Sequence, residues 1–170
     1  MNQKPAARIT LVVAACAAAL AASACWYGRP ADQPTLQRFT EPVATGTFIV
    51  EPRNYKMFKV VVNDSMTNPR LEGTFSATGA RNDIEVTLLD DAQYANWQNR
   101  RRFEATYESG RVTNGMLGID LPAGPGTWWV VFSNRFSLLS NKAVVADVQL
   151  CYDRLQANDS RQRQRGRYRE

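Results

Sequence analysis

The chain has 170 residues, 44% of them hydrophobic, with seven Phe and four Trp, enough apolar material for one folded domain with its own core. It carries a formal charge of +5 and no histidine. That excludes Ser-His-Asp and Cys-His catalysis and removes the commonest transition-metal ligand.

Lys4 and Arg8 give a short positive start, and Ile9 to Ala24 is apolar or small apart from Thr10 and Ser23. This is the layout of a secretory signal peptide, too short for a membrane span. Ala22-Ser23-Ala24 ends directly at Cys25, which resembles the bacterial lipobox, where the cysteine thiol is acylated and becomes the mature N-terminus. Ala22 stands where the lipobox usually carries Leu. Val13-Ala14-Ala15-Cys16 fits that position better but leaves a very short apolar core. Lipidation at Cys25 is the expectation, and plain cleavage after Ala24 the alternative. The cysteines bear on the same choice. An acylated Cys25 leaves Cys151 alone, whereas a thiol at Cys25 permits a Cys25–Cys151 bridge in an oxidising compartment. Residues 25–45 read as anchor and tether: Pro30, Pro34 and Pro42 favour extended chain, and there is no apolar periodicity.

Residues 46–153 read as short strands between turn residues, the rhythm of an antiparallel sandwich. The predicted strands are Thr47 to Val50; Tyr55 to Val62, closed by Asn63-Asp64-Ser65; Leu71 to Ala77; and Asp83 to Leu89, with Ile84, Val86 and Leu88 on one face. Asp90-Asp91 can cap one or two helical turns over Asp90 to Gln98, where Tyr94 and Trp97 are spaced to meet. Strands resume at Phe103 to Tyr107 and Met116 to Leu121. In Gly126-Thr127-Trp128-Trp129-Val130-Val131-Phe132 both faces are apolar, which predicts a central strand covered on both sides. Ala143 to Tyr152 closes the fold, with Val144, Ala146, Val148, Leu150 and Tyr152 inward and Cys151 outward. The expected fold is all-β, a single antiparallel sandwich of jelly-roll type with about eight strands. Residues 154–170 hold six Arg among Gln, Asn and Ser and are expected to be disordered.

Several of these residues stand in a pattern that resembles the Golgi-dynamics (GOLD) domain, the luminal sandwich of eukaryotic cargo receptors, and similar bacterial lipoproteins. They are Gly79, then Asp83-Ile84-Glu85-Val86 to Asp90, Ser109-Gly110, Gly126-Thr127-Trp128, Asn134 with Ser137, and Lys142 opening the last apolar strand. The resemblance spans roughly Phe48 to Tyr152. It implies a compact sandwich suited to protein–protein contact outside the cytoplasm. Those receptors carry a cysteine where Val131 stands, paired to another, and continue into a coiled coil and membrane helix; this sequence has neither, so cargo binding does not carry over. Independently of any family, the short side chains of Asn134, Ser137, Ser140 and Asn141 are suited to fixing bends through backbone bonds, and Lys142 to satisfying carbonyls.

The candidate binding surface is Tyr94, Trp97, Arg100, Arg101 and Arg102, amphipathic aromatics beside arginines, with Arg135 and Phe136 as a second element. The structural alternative is Trp97 plugging one end of the sandwich above solvated arginines. Asp90 and Asp91 read as capping residues rather than an acid–base pair, and no spaced oxygen-ligand loop predicts a metal. No cofactor and no catalytic residue is expected. The Arg161–Arg169 tail has the charge density of a nucleic-acid arm, but export favours an anionic surface instead, with no nucleic-acid partner. The expected function is non-catalytic: an outer-membrane lipoprotein of a bacterial envelope, facing the periplasm, whose sandwich binds a protein or other envelope component. The alternative is a carbohydrate-binding or hydrolase-accessory module using Trp97 or Trp129 as a sugar platform.

Overall fold

A computed structural model describes residues 34–156. The proposed signal peptide, Cys25 and the Arg161–Arg169 stretch lie outside the described residues.

In chain order the elements are β1 (Thr35–Val50), β2 (Tyr55–Val62), β3 (Thr67–Thr78), a 3-10 turn at Ala80–Asn82, β4 (Ile84–Asp90), α1 (Asp91–Gln98), β5 (Tyr107–Val112), β6 (Asn114–Asp120), β7 (Gly126–Ser133) and β8 (Lys142–Gln156). Two four-stranded antiparallel sheets form, one in the order β1-β8-β3-β6 and the other β2-β7-β4-β5. Successive strands alternate between the sheets except for β4 and β5, which pair within the second sheet, and the chain winds as a double Greek key. This is jelly-roll topology.

Alternation does the work inside. Leu71, Phe75, Val144, Val148 and Leu150 of the first sheet meet Val60, Val62, Ile84, Val86, Leu88, Val130 and Phe132 of the second in one core. Phe132 sits at its centre, edge-on to Phe48, Phe58 and Phe75 at centroid distances of 5.1, 5.8 and 5.9 Å. Such pairs stabilise by about 0.5–1.5 kcal/mol beyond burial. The opposite residues of β4 and β7, Leu89 and Val131, are covered by α1, whose Tyr94 and Trp97 form a second cluster with Tyr55, Phe103, Ala105 and Trp129. β7 is therefore central and covered on both faces, as its run of apolar residues predicts.

Boundaries differ from the sequence reading at β3 and β6, which start at Thr67 and Asn114 instead of Leu71 and Met116, and in three further places. The first strand starts at Thr35 instead of Thr47, so the stretch read as the end of a tether is about two-thirds of β1. Its polar sequence and Pro42 conceal this, because the strand is held by register with β8 from Thr35↔Gln156 to Val50↔Lys142, bulging between Pro42 and Ala44. Phe39 stacks on its partner Tyr152 at 5.7 Å, and Ala44 is fully buried. At the other end β8 runs to Gln156, so Arg154 belongs to the sandwich; its guanidinium lies over Phe39 and Tyr152. Finally, Phe103 to Ala105 is not a strand. The alternation there serves packing against α1, and β5 begins at Tyr107.

Cys151 also departs from expectation. It is in phase with the outward residues of β8 yet buried, beneath the side chains of Thr40 and Glu72 on the flanking strands.

Candidate binding surface at the β7–β8 end

The loop from Asn134 to Asn141 joins β7 to β8 at one end of the sandwich. Its first residue organises it. Asn134 is fully buried, and its side-chain amide donates to the carbonyls of Val50 (3.1 Å), Glu51 (3.1 Å) and Ser140 (2.9 Å). One amide thus ties the end of β1 to both ends of the loop, while its Oδ1 has no partner. The Asn134 carbonyl accepts from the backbone N–H of Ser137 and of Arg53, and the Ser137 carbonyl accepts from Arg53 too. Ser137 Oγ closes the loop on Ser140 Oγ at 2.9 Å. The loop is held by bonds at its base, not by burial of its tip: Leu138 is 64% exposed and Leu139 94%.

Beside this loop stands a buried ion pair. Lys142 is 1% exposed, and its ammonium donates to the Ala80 carbonyl and to the Asp83 carboxylate. The Lys142 hydrogen bond holds the Asp83 carboxyl below the usual carboxylate range. The turn that presents both groups requires glycine. Gly79 has φ 128°, and a Cβ there would lie 2.4 Å from the Asn141 carbonyl oxygen. Gly79 N–H donates to Asn82 Oδ1 at 2.9 Å, which completes the turn. Ile84 follows, fully buried, and starts β4. Gly126 opens β7 opposite Val62, packed near the Trp128 indole.

Between the Gly79–Asp83 turn and the loop is a cleft of about 390 Å³, lined among others by Arg81, Asp83, Arg111, Phe136, Leu138 and Leu139. Its charges sort into two kinds. Asp83 is taken by Lys142, and Arg111 bonds Glu85 at 3.0 Å while its guanidinium lies 4.3 Å from the Phe136 ring centroid. Arg81 is exposed, held at φ 68°, and pairs with no carboxylate among the described residues. The cleft therefore offers cationic donors on an aromatic and aliphatic floor, suited to an anionic group with apolar neighbours.

The residues singled out from sequence do not form one surface. Tyr94 and Trp97 are buried, stacked on each other and, for Tyr94, on Trp129 at 4.5 Å. Burial pushes the Tyr94 hydroxyl up to about 12, and donation from Gln98 lowers that of Tyr55. Arg135 turns toward this cluster, its guanidinium 3.8 Å from the Trp97 ring centroid and 4.6 Å from that of Tyr55, and donates to the Trp97 carbonyl at 3.3 Å. Phe136, its neighbour in sequence, turns the other way into the cleft. Arg100, Arg101 and Arg102 are exposed just after the end of α1. Trp97 thus covers the outer face of the second sheet instead of plugging an end. Trp129 is stacked by Tyr94, has the Lys59 ammonium 5.8 Å from its centroid, and donates its indole N–H to Asp91. Trp97 is buried, whereas Trp129 is half-exposed with one face taken by Tyr94.

The acids likewise have local partners. Asp90 caps α1 by accepting from Gln93 N–H at 2.7 Å, and Asp91 holds Trp129. Arg81, Arg111, Leu138 and Leu139 were not among the sequence candidates. The Leu138-Leu139 pair in a polar loop was the available signal; nothing local marks the two arginines, which strand pairing alone brings to one end. No protein-family model and no curated protein matches this sequence.

Proposed function

We propose that this chain is a non-catalytic binding module of a bacterial envelope, exported by its N-terminal signal, anchored through an acylated Cys25, and built on a GOLD-like sandwich. Its binding surface is the β7–β8 end, with Arg81, Arg111 and Phe136 in the cleft and Leu138 and Leu139 on the rim. The observation that carries this reading is the 94% exposure of Leu139 on a loop whose base is tied by the buried Asn134. Rigid presentation of apolar side chains to solvent costs solvation free energy that a partner recovers. The carboxylates that an acid–base reaction would need are bound instead to Lys142, to the α1 N-terminus and to Trp129.

Two measurements test it. Intact mass of the exported protein should show lipid mass on Cys25; an unmodified thiol or a Cys25–Cys151 bridge would remove the anchor. A photoreactive residue at position 139 should cross-link in whole cells far more strongly than one at exposed Arg101. Equal labelling at both positions would reject the surface.

A further inference from the structure

We infer that the β7–β8 end docks on an anionic phospholipid bilayer, with headgroup phosphates on Arg81 and Arg111 and the Leu138–Leu139 tip in the interfacial hydrocarbon. This rests on the reading of that end as the binding surface and names what it binds.

The shape argues first. Leu138 and Leu139 edge the cleft but are turned mostly to solvent: they are the two most exposed apolar side chains of the end, at 64% and 94%, and they are consecutive. Consecutive exposed leucines cannot both enter one side-chain pocket, but both can enter a fluid layer. Stiffness argues next. The Asn134 and Ser137 bonds fix the loop in advance, so insertion need not order it.

Charge argues third. Arg81 and Arg53 have no carboxylate partner among the described residues, and Asp83 and Glu85 are already engaged by Lys142 and Arg111. Glu51 is the opposing exposed acid at this end. Cations around an apolar tip match the two layers of a bilayer in order, headgroup phosphates above and acyl chains below. Arg111, planar and backed by Phe136, can reach a phosphate with the guanidinium N–H groups that Glu85 leaves unused.

The test uses a chain starting at residue 25 with Cys25→Ser, which keeps all of β1 to β8 and the basic tail but carries no lipid. Its partition is measured by flotation with phosphatidylcholine vesicles, with and without phosphatidylglycerol. Binding to the anionic vesicles is expected. Leu138→Ser with Leu139→Ser should weaken it about tenfold, and Arg81→Ala with Arg111→Ala by a similar factor. Because the tail is present in every variant, its contribution cancels. An environment-sensitive fluorophore on Leu139→Cys should shift to the blue on anionic vesicles, which adsorption through the tail alone would not produce. An unshifted fluorophore, or unchanged binding by the double leucine variant, overturns the inference. If position 139 cross-links in cells to a protein and not to lipid, the bilayer is the wrong partner while the binding surface stands. If it cross-links to neither, both readings fall.

Discussion

Lys142 and Asp83 set the strongest single-residue expectations. A buried ammonium left without its carboxylate is costly, so Asp83→Ala should destabilise by about 3 kcal/mol, read from urea unfolding. Lys142→Met removes the charge along with the need for a partner, and should cost less than Asp83→Ala; the reverse order would contradict the pair as described. The same pair sets an acid limit. Because the folded-state pKa of Asp83 lies below its unfolded value of about 3.9, its contribution is complete above that value and is lost as pH falls through the folded pKa. Unfolding midpoints should therefore drop on acidification below about pH 4, and the Lys142→Met chain should show a shallower drop. Sequence alone showed a lysine opening an apolar strand and an aspartate before another. That they meet depends on the Gly79 turn and on β3–β8 pairing, which bring residues 59 positions apart together.

At the level of elements, α1 exists because local capping and tertiary cover agree. Asp90 supplies the N-cap, so Asp90→Ala should cost about 1 kcal/mol. Trp97→Ala should cost about 3 kcal/mol or more, because it empties the second cluster and removes the ring on which Arg135 lies. Thermal melts of the two variants would check that ordering. Sheet pairing has its own sensitive point. Gly73 has φ 149°, and a Cβ there would lie 2.1 Å from the Asp147 carbonyl oxygen on β8. Gly73→Ala should thus damage the first sheet more than any neighbouring β3 substitution of an exposed residue, such as Thr74→Ala. The helix was legible because Asp90-Asp91 and the Tyr94–Trp97 spacing are local signals. Phe103 to Ala105 misled because alternating apolar residues look alike whether they pair as a strand or pack beneath a helix.

For the whole molecule, the first prediction concerns extent. A chain starting at Gly46, the boundary that composition suggests, lacks Phe39, Val43 and Ala44 and uncovers much of β8; it should melt well below a chain starting at Pro34, and equal melting temperatures would show that about two-thirds of β1 is dispensable. A second concerns arrangement. Thr35 and the β7–β8 loop lie at opposite ends of the β1–β8 ribbon, whose 16-residue strand spans roughly 50 Å. On the readings proposed above, a chain acylated at Cys25 can hold one bilayer and touch another. The lipidated protein should therefore cluster anionic vesicles, seen as turbidity, and Leu138→Ser with Leu139→Ser should reduce it. The sequence by itself determined the class of fold, the inward face of β4 and β8, the two-sided cover of β7, the helix cap and the bend-forming loop, because alternation and short polar side chains act over a few residues. Only the tertiary structure decided that β1 reaches back to Thr35, that Cys151 is covered, that Arg135 and Phe136 diverge, and that Arg81 and Arg111 flank an exposed leucine tip. Those outcomes depend on which strands lie side by side, and strand order is a property of long-range pairing that no window of sequence contains.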